Sequence, residues 1–194
     1  ALNQRTALFD EAVKKGYQPK YLVDTGLCFK VDKEEAGNKS GQDKYLDRFS
    51  GRAIFPWLSV SGKVVAFGGR VLDTRTKGVS QKYVNSPDSI IYHKERELYG
   101  LYQAKKAIAK EDCVYMVEGY TDVISMHQAG FTNAVASLGT ALTSGHASLV
   151  KRYTQEVLLL YDSDEAGVKA ALRAIPILRE AGVNSRVVNL RPHK

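Results

Sequence analysis

The sequence predicts an α/β fold: a Rossmann-like parallel sheet flanked by helices in the second part of the chain, preceded by a basic α+β region. Three observations lead there. From Cys113 onward, short β-prone apolar runs alternate with longer segments of helical period, the pattern of a parallel sheet with helical crossovers. Two of those runs, Val114-Tyr115-Met116-Val117 and Val157-Leu158-Leu159-Leu160-Tyr161, are continuously apolar, as strands covered on both faces are, and both end abruptly in carboxylates. Residues 1–110 carry paired β-prone runs and 20 Lys and Arg against 12 Asp and Glu, whereas residues 111–194 carry 8 against 9, together the net +7.

In chain order, Asn3 to Gly16 and Pro19 to Thr25 read as short helices, each closed by Gly or a Gly-containing turn. Leu27 to Val31 reads as a strand, and Asp32 to Asp43, almost without apolar side chains, as a loop or hairpin tip. Arg52 to Val60 and Lys63 to Leu72 form a hairpin turning at Ser61-Gly62, with Pro56 placing the first strand at an edge or a bulge. Thr74 to Ser80 is a polar connection. Glu95 to Lys110 is expected to be one helix burying Leu98, Leu101, Tyr102 and Ile108 and linking the two parts of the chain. The alternation then runs strand Val114 to Val117, helix Tyr120 to Ala129, strand Ala134 to Ser137, helix Ser144 to Tyr153, strand Val157 to Tyr161, helix Asp164 to Ala181 and strand Arg186 to Leu190. Pro176 is expected to kink the last helix or end its first half.

The chemistry follows from where the carboxylates fall. Ligands of open parallel sheets bind beyond the strands' carboxyl ends, which sends Glu118 and the pair Asp162 and Asp164 to one rim. Alternate residues of an extended segment share a face, so Asp162 and Asp164 point the same way. At roughly 4 to 5 Å and an effective dielectric near 20, each carboxylate pair repels by about 3 to 4 kcal/mol, more than an ordinary domain absorbs unaided. Protons or a divalent cation must offset that. Oxygen donors without clustered His or Cys favour magnesium or manganese over zinc, and with them phosphoryl chemistry. The competing account is local: Asp162, Asp164 and Glu165 suit the first turn of a helix, and Glu118-Gly119 suits a turn. The pairing of two strand ends favours the cation site.

Composition bounds the rest. Of the 194 residues, 44% are hydrophobic, ample for one large domain or two small ones. There is no run of eighteen apolar residues and no charged-then-apolar leader, so membrane insertion and secretion are not expected and the setting is cytoplasmic. Cys28 and Cys113 lie too far apart to read as a ligand pair and are expected to be buried or partly buried thiols. The four His are scattered, and none is assigned a catalytic part. The basic first part beside an acidic rim suits a polyanionic partner.

The elements Glu118-Gly119-Tyr120-Thr121-Asp122 and Asp162-Ser163-Asp164-Glu165-Ala166-Gly167 resemble the two halves of a Toprim domain. Five further elements resemble, in order, the RNA polymerase core of bacterial replicative DNA primase, the DnaG type. They are Phe67 to Leu72, Lys82 to Pro87, His93-Lys94, Leu98 to Tyr102 and Ala134 to Leu142. The resemblance runs from about Arg48 to Leu190. It implies a basic α+β subdomain over residues 1–110, incomplete at its start, and a Toprim domain over 111–194. It implies a DNA-directed RNA polymerase that makes short RNA primers on single-stranded DNA by two-metal nucleotidyl transfer, bacterial and replisome-associated. Its partners would be the template, ribonucleoside triphosphates and the RNA primer, with no membrane. Catalytic residues would be Glu118, Asp122, Asp162 and Asp164. Glu118, Asp162 and Asp164 would hold Mg2+ or Mn2+, and Glu118 would also stand nearest the reacting oxygen. Arg52, Arg70, Lys82, Tyr83, Asn85 and Lys94 would line the nucleic-acid or nucleotide track.

The family pattern has Gly where this chain has Ser163, a small change at an intervening position. It also has a further acidic element, Lys-Asp-Pro-Asp, at the point where this chain stops at Lys194. A family zinc module before the core and a helicase-binding region after it are likewise not in the sequence, so zinc and the helicase are expected of those parts only. Two alternatives stand beside the primase reading: a Toprim topoisomerase or nuclease, and a fragment that binds nucleic acid without turnover. Gly68-Gly69-Arg70 reads either as a β-bulge with a solvated Arg or as close approach of a nucleic-acid backbone, with Arg70 offered to phosphate.

Overall fold

A computed structural model describes residues 1–31, 44–72, 81–137 and 141–188. The expectations for Asp32 to Asp43 and Thr74 to Ser80, the middle of the element Ala134 to Leu142 and the end of the last strand fall outside those residues. The chain divides into two compact units, one of residues 1–56 and 65–92, the other of residues 57–64 and 93–194. In this division residues 57–64 and 93–110 group with the second unit.

The first unit opens with helices α1 (Ala7–Lys14) and α2 (Pro19–Asp24), followed by the antiparallel pair β1 (Cys28–Val31) and β2 (Lys44–Asp47). The first helix is shorter than the expected Asn3 to Gly16. Neither Thr6 nor Lys15 caps it with a side chain; instead the Asp47 carboxylate accepts from Leu8 N at 2.7 Å and Phe9 N at 3.0 Å. Strands β3 (Arg52–Leu58), β4 (Val64–Val71) and β5 (Tyr83–Asn85) form a second sheet in that order. Strand β3 is at the edge, and Pro56 sits exposed on it, as a residue without an N–H must. Strands β2 and β5 were not expected: one is four residues and the other three, too short for a period of two to show.

The second unit carries β6 (Val114–Val117), β7 (Ala134–Ala136), β8 (Glu156–Leu159) and β9 (Asn184–Val187), with α3 (Leu101–Glu111), α4 (Tyr120–Gln128), α5 (Ser144–Val150) and α6 (Glu165–Glu180). Its sheet is parallel throughout, in the order β7-β6-β8-β9. Val114, Met116, Val135, Val157 and Leu159 are buried at the centre and pack with Leu101, Ile108, Val150 and Leu178 from the helices. Each such side chain contributes about 1.5 to 3 kcal/mol on burial. The continuous apolar runs therefore mark the two central strands, covered on both faces.

One expectation for helices is corrected and another is narrowed. Glu95 to Lys110 is not one helix: Lys94–Arg96 forms a single 3-10 turn, the chain then extends, and α3 begins only after Gly100 at φ +83°. A left-handed residue interrupts a right-handed helix, and extended Tyr99 instead exchanges backbone hydrogen bonds with Ala136 at 2.8 and 3.1 Å. Leu98, Leu101 and Ile108 are buried as expected, but Tyr102 is 40% exposed. Helix α6, conversely, runs through Pro176 to Glu180, so the proline does not end it. Its Leu178 and Ala174 are buried against the sheet, and this packing outweighs one missing hydrogen bond.

Candidate functional site at the carboxyl rim of the parallel sheet

Strands β6 and β8 are neighbours with Met116 paired to Leu159, and Leu160 N donates to Met116 O at 2.9 Å. The register brings both acidic ends to one rim. There Asp162 N donates to Glu118 Oε1 at 2.9 Å, a charge-assisted bond between residues 44 apart in the chain. Glu118 and Asp162 both lie exposed.

The start of α6 closes the arrangement. Asp164 is its N-cap, with Oδ1 accepting from Gly167 N at 2.8 Å. A Cβ on Gly167 would stand 2.1 Å from Asp162 O and 2.8 Å from Glu118 Oε1. Only a glycine lets the helix come this close, which gives the last residue of the Asp-Ser-Asp-Glu-Ala-Gly element its physical reason. On the other side, Asp122 Oδ2 accepts from Gly119 N at 2.9 Å in the first turn of α4.

The structure thus brings Glu118, Asp162 and Asp164 around Gly167 and keeps Asp122 beside Gly119. It does not gather three or four carboxylates into one cluster. Among the described residues no group of three or more His, Cys, Asp or Glu is arranged to hold a metal ion. The reason is local: Asp122 and Asp164 each spend one oxygen on a helix start, as the competing account of the acidic turn had it. Each carboxylate has a second oxygen, however, and the donors at the rim are all oxygen, so the residues present fit a hard divalent cation and not zinc.

Glu118 has neighbours that were not named as site residues from the sequence. Glu118 lines a cavity of about 290 Å³ together with Ser137, Leu142, Tyr161, Ala170 and Arg173. The Tyr161 hydroxyl is pushed up to about 12, by burial first and by the negative Glu118 second, against the pull of its hydrogen bond with Ser137. It stays a protonated phenol at neutral pH. Ser137 and Tyr161 stand just beyond the ends of β7 and β8, so the rule that found Glu118 could have found them; Arg173, well inside α6, had no such signal.

The residues expected along the nucleic-acid track divide between the units. Arg52, Arg70, Lys82, Tyr83 and Asn85 belong to the first and Lys94 to the second. Arg70 is paired across the ladder with Tyr83, its guanidinium 5.4 Å from the ring centroid. Arg52 donates to the carbonyls of Lys82 at 3.1 Å and Gln81 at 2.9 Å, so it braces the approach to β5. Asn85 pairs with Gly68, and its Oδ1 is buried. Gly68, Gly69 and Arg70 lie in a regular ladder, and Gly69 leaves room for Phe49 and Arg52, whose atoms would be 2.9 and 3.0 Å from a Cβ. Internal packing therefore accounts for that glycine.

Comparison with known proteins bears on the family and the fold. Residues 1–105 match the family described as DNA primase catalytic core, N-terminal domain, and residues 115–194 match a Toprim-like family. A DNA primase of Clostridium acetobutylicum is 45% identical over 91% of this chain and 27% of its own length. The chain thus spans little more than a quarter of that relative. The zinc-binding and RNA polymerase domains of the Aquifex aeolicus primase superpose with a TM-score of 0.82 at 36% identity, over 97% of this chain and 44% of that one. A DnaG primase catalytic domain bound to ssDNA gives 0.79 at 37% identity, over 95% and 56%. With more than half its length matched by the core's own family and the parallel sheet and acidic rim of a Toprim domain following it, the chain belongs to the catalytic core of the DnaG-type DNA primases.

Proposed function

We propose that this chain is the part of a DNA-directed RNA polymerase that holds the primer end and the incoming nucleotide, and that the whole protein makes short RNA primers on single-stranded DNA. The observation that carries the reading is the Glu118 carboxylate held against the Asp162 backbone at the rim where α6 begins. Glu118, Asp162 and Asp164 would hold magnesium or manganese. Such an ion, when bound, offsets the charge on transferring phosphates and positions the reacting oxygens.

The chain's own residues do the rest. Glu118 is held through Oε1, which leaves Oε2 to serve as base for a primer hydroxyl or as a ligand. Asp122 orders the turn that follows Glu118. In the first unit, the Arg70–Tyr83 stack beside Lys82 offers a cation and an aromatic face along β4 and β5, a combination suited to an unpaired strand, with Asn85 adding an amide. Arg52 braces that face; Lys94, in the second unit, is a separate cation offered to nucleic acid. A relative solved with single-stranded DNA supports the template assignment. Strand cleavage and rejoining by a topoisomerase is not favoured, because residues 1–105 match a primase core. Ribonucleoside triphosphates and, through regions beyond this sequence, the replicative helicase complete the proposed partners.

Asp162→Ala tests the reading. In a primase of full family length carrying this core, manganese-supported nucleotide incorporation on a single-stranded template should vanish while the circular dichroism spectrum and melting curve are kept. Full incorporation by that variant would refute the assignment.

A further inference from the structure

The first turn of α5 grips the segment that carries Lys94, and both lie in the second unit. Two consecutive carbonyls of that segment are held from α5: Lys94 O by His146 Nε2 at 2.7 Å, and Glu95 O by Thr143 Oγ1 at 2.7 Å. Gly145 belongs to the same grip, because a Cβ there would be 2.4 Å from Glu95 O. His146 is wholly buried, at 0% exposure. Its Nδ1 accepts from Thr143 N at 3.2 Å, which puts the ring proton on Nε2 and makes that nitrogen the donor to Lys94 O. Both ring nitrogens are thereby committed, and the imidazole has one tautomer and one orientation.

The gripped segment has little regular structure of its own. It forms one 3-10 turn, closed by Arg96 N donating to His93 O at 3.0 Å, between His93 and Glu97 in extended conformation. The Lys94 carbonyl, one bond from the Cα that carries the side chain, is held from α5, so the backbone from which the ammonium extends is anchored there. We propose that His146 is a positioning residue that acts through the Lys94 carbonyl to hold the Lys94 ammonium where it takes a phosphate oxygen of single-stranded nucleic acid. The inference rests on the assignment of Lys94 to the nucleic-acid track. It extends that track to a histidine that touches neither the acidic rim nor the ligand.

Two substitutions separate positioning from packing. His146→Asn keeps an acceptor for Thr143 N but no longer reaches Lys94 O; His146→Gln reaches Lys94 O with an amide donor and gives up the Thr143 bond. Binding of a fluorescein-labelled single-stranded DNA oligonucleotide to the 194-residue chain is followed by anisotropy over a range of salt concentrations. Loss of one phosphate contact should weaken binding roughly fivefold at about 0.1 M salt and flatten the log–log salt slope by about 0.7. Lys94→Ala and His146→Asn should both show this, and His146→Gln should restore wild-type behaviour. If Lys94→Ala weakens binding but His146→Asn does not, or does so with the wild-type slope, the positioning role is overturned. The same holds if His146→Gln binds no better than His146→Asn. If Lys94→Ala binds as wild type, the assignment of Lys94 itself is overturned and the inference falls with it. Thermal melts accompany each variant. Should His146→Asn fail to fold, Thr143→Val, which removes only the grip on Glu95 O and the cap, replaces it: an unchanged slope there with a full loss in Lys94→Ala supports the Lys94 O bond as the one that matters, and a flattened slope overturns it.

Discussion

Glu118 shows how few atoms define the rim. One oxygen accepts from Asp162 N, and the space beside it is kept by the absent side chain of Gly167. Gly167→Ala would place a methyl where two oxygens already stand, and overpacking of this kind costs about 1 to 3 kcal/mol. We expect the variant to lose stability by that amount in urea denaturation and to lose nucleotide incorporation more than proportionately, because the shift falls on Glu118 and Asp162. Wild-type values of both would contradict this account of the glycine. Cys28 illustrates a quieter residue: its thiol is pushed up to about 12 by burial and by the neighbouring Asp47, so it is a packed side chain and not a nucleophile.

Among the elements, two helices owe their starts to carboxylates of different origin. Helix α6 is capped from within by Asp164, the preceding residue. Asn caps about as well as Asp but carries no charge, so Asp164→Asn should melt within about 0.5 kcal/mol of wild type. If Asp164 also holds a metal ion, the same variant loses manganese-supported incorporation, whereas equal activity would leave it a cap alone. Helix α1 is capped from a distance by Asp47, whose carboxylate accepts from Leu8 N and Phe9 N. Asp47→Ala is expected to destabilise the first unit by about 1 to 2 kcal/mol in chemical denaturation followed by circular dichroism. An unchanged midpoint and slope would show that water replaces the carboxylate without loss.

Across the whole molecule, pH acts through the buried His146. Burial holds it below its ordinary value of 6.5, while the Lys94 and Glu97 carbonyls and the charge of Glu95 pull the other way. The unfolded chain therefore takes up this proton first, so the contribution is complete above about pH 6.5 and is lost as pH falls below it. Between about pH 7.5 and about pH 5, the wild type should lose more unfolding free energy than His146→Gln, which has no proton to gain. Parallel losses in the two proteins would show that His146 does not govern the acid side. The charge division works at the same scale: the basic excess lies wholly in residues 1–110, where β4 carries Arg70, β5 carries Tyr83 and Lys82 immediately precedes β5.

The parallel sheet, its two covered central strands and the placing of acidic residues at their ends were legible in the sequence, because continuous apolar runs and the turns that end them are local patterns set by burial. The order of the elastic details was not. Whether Asp122 and Asp164 face a common cation or a helix start, that Asp47 caps a helix 38 residues earlier, that Gly100 breaks an apparently continuous helix and that His146 fixes the Lys94 carbonyl all depend on which backbone groups another segment leaves to be satisfied. A carboxylate, a glycine or an imidazole has several possible partners along the chain, and only packing of distant segments selects among them.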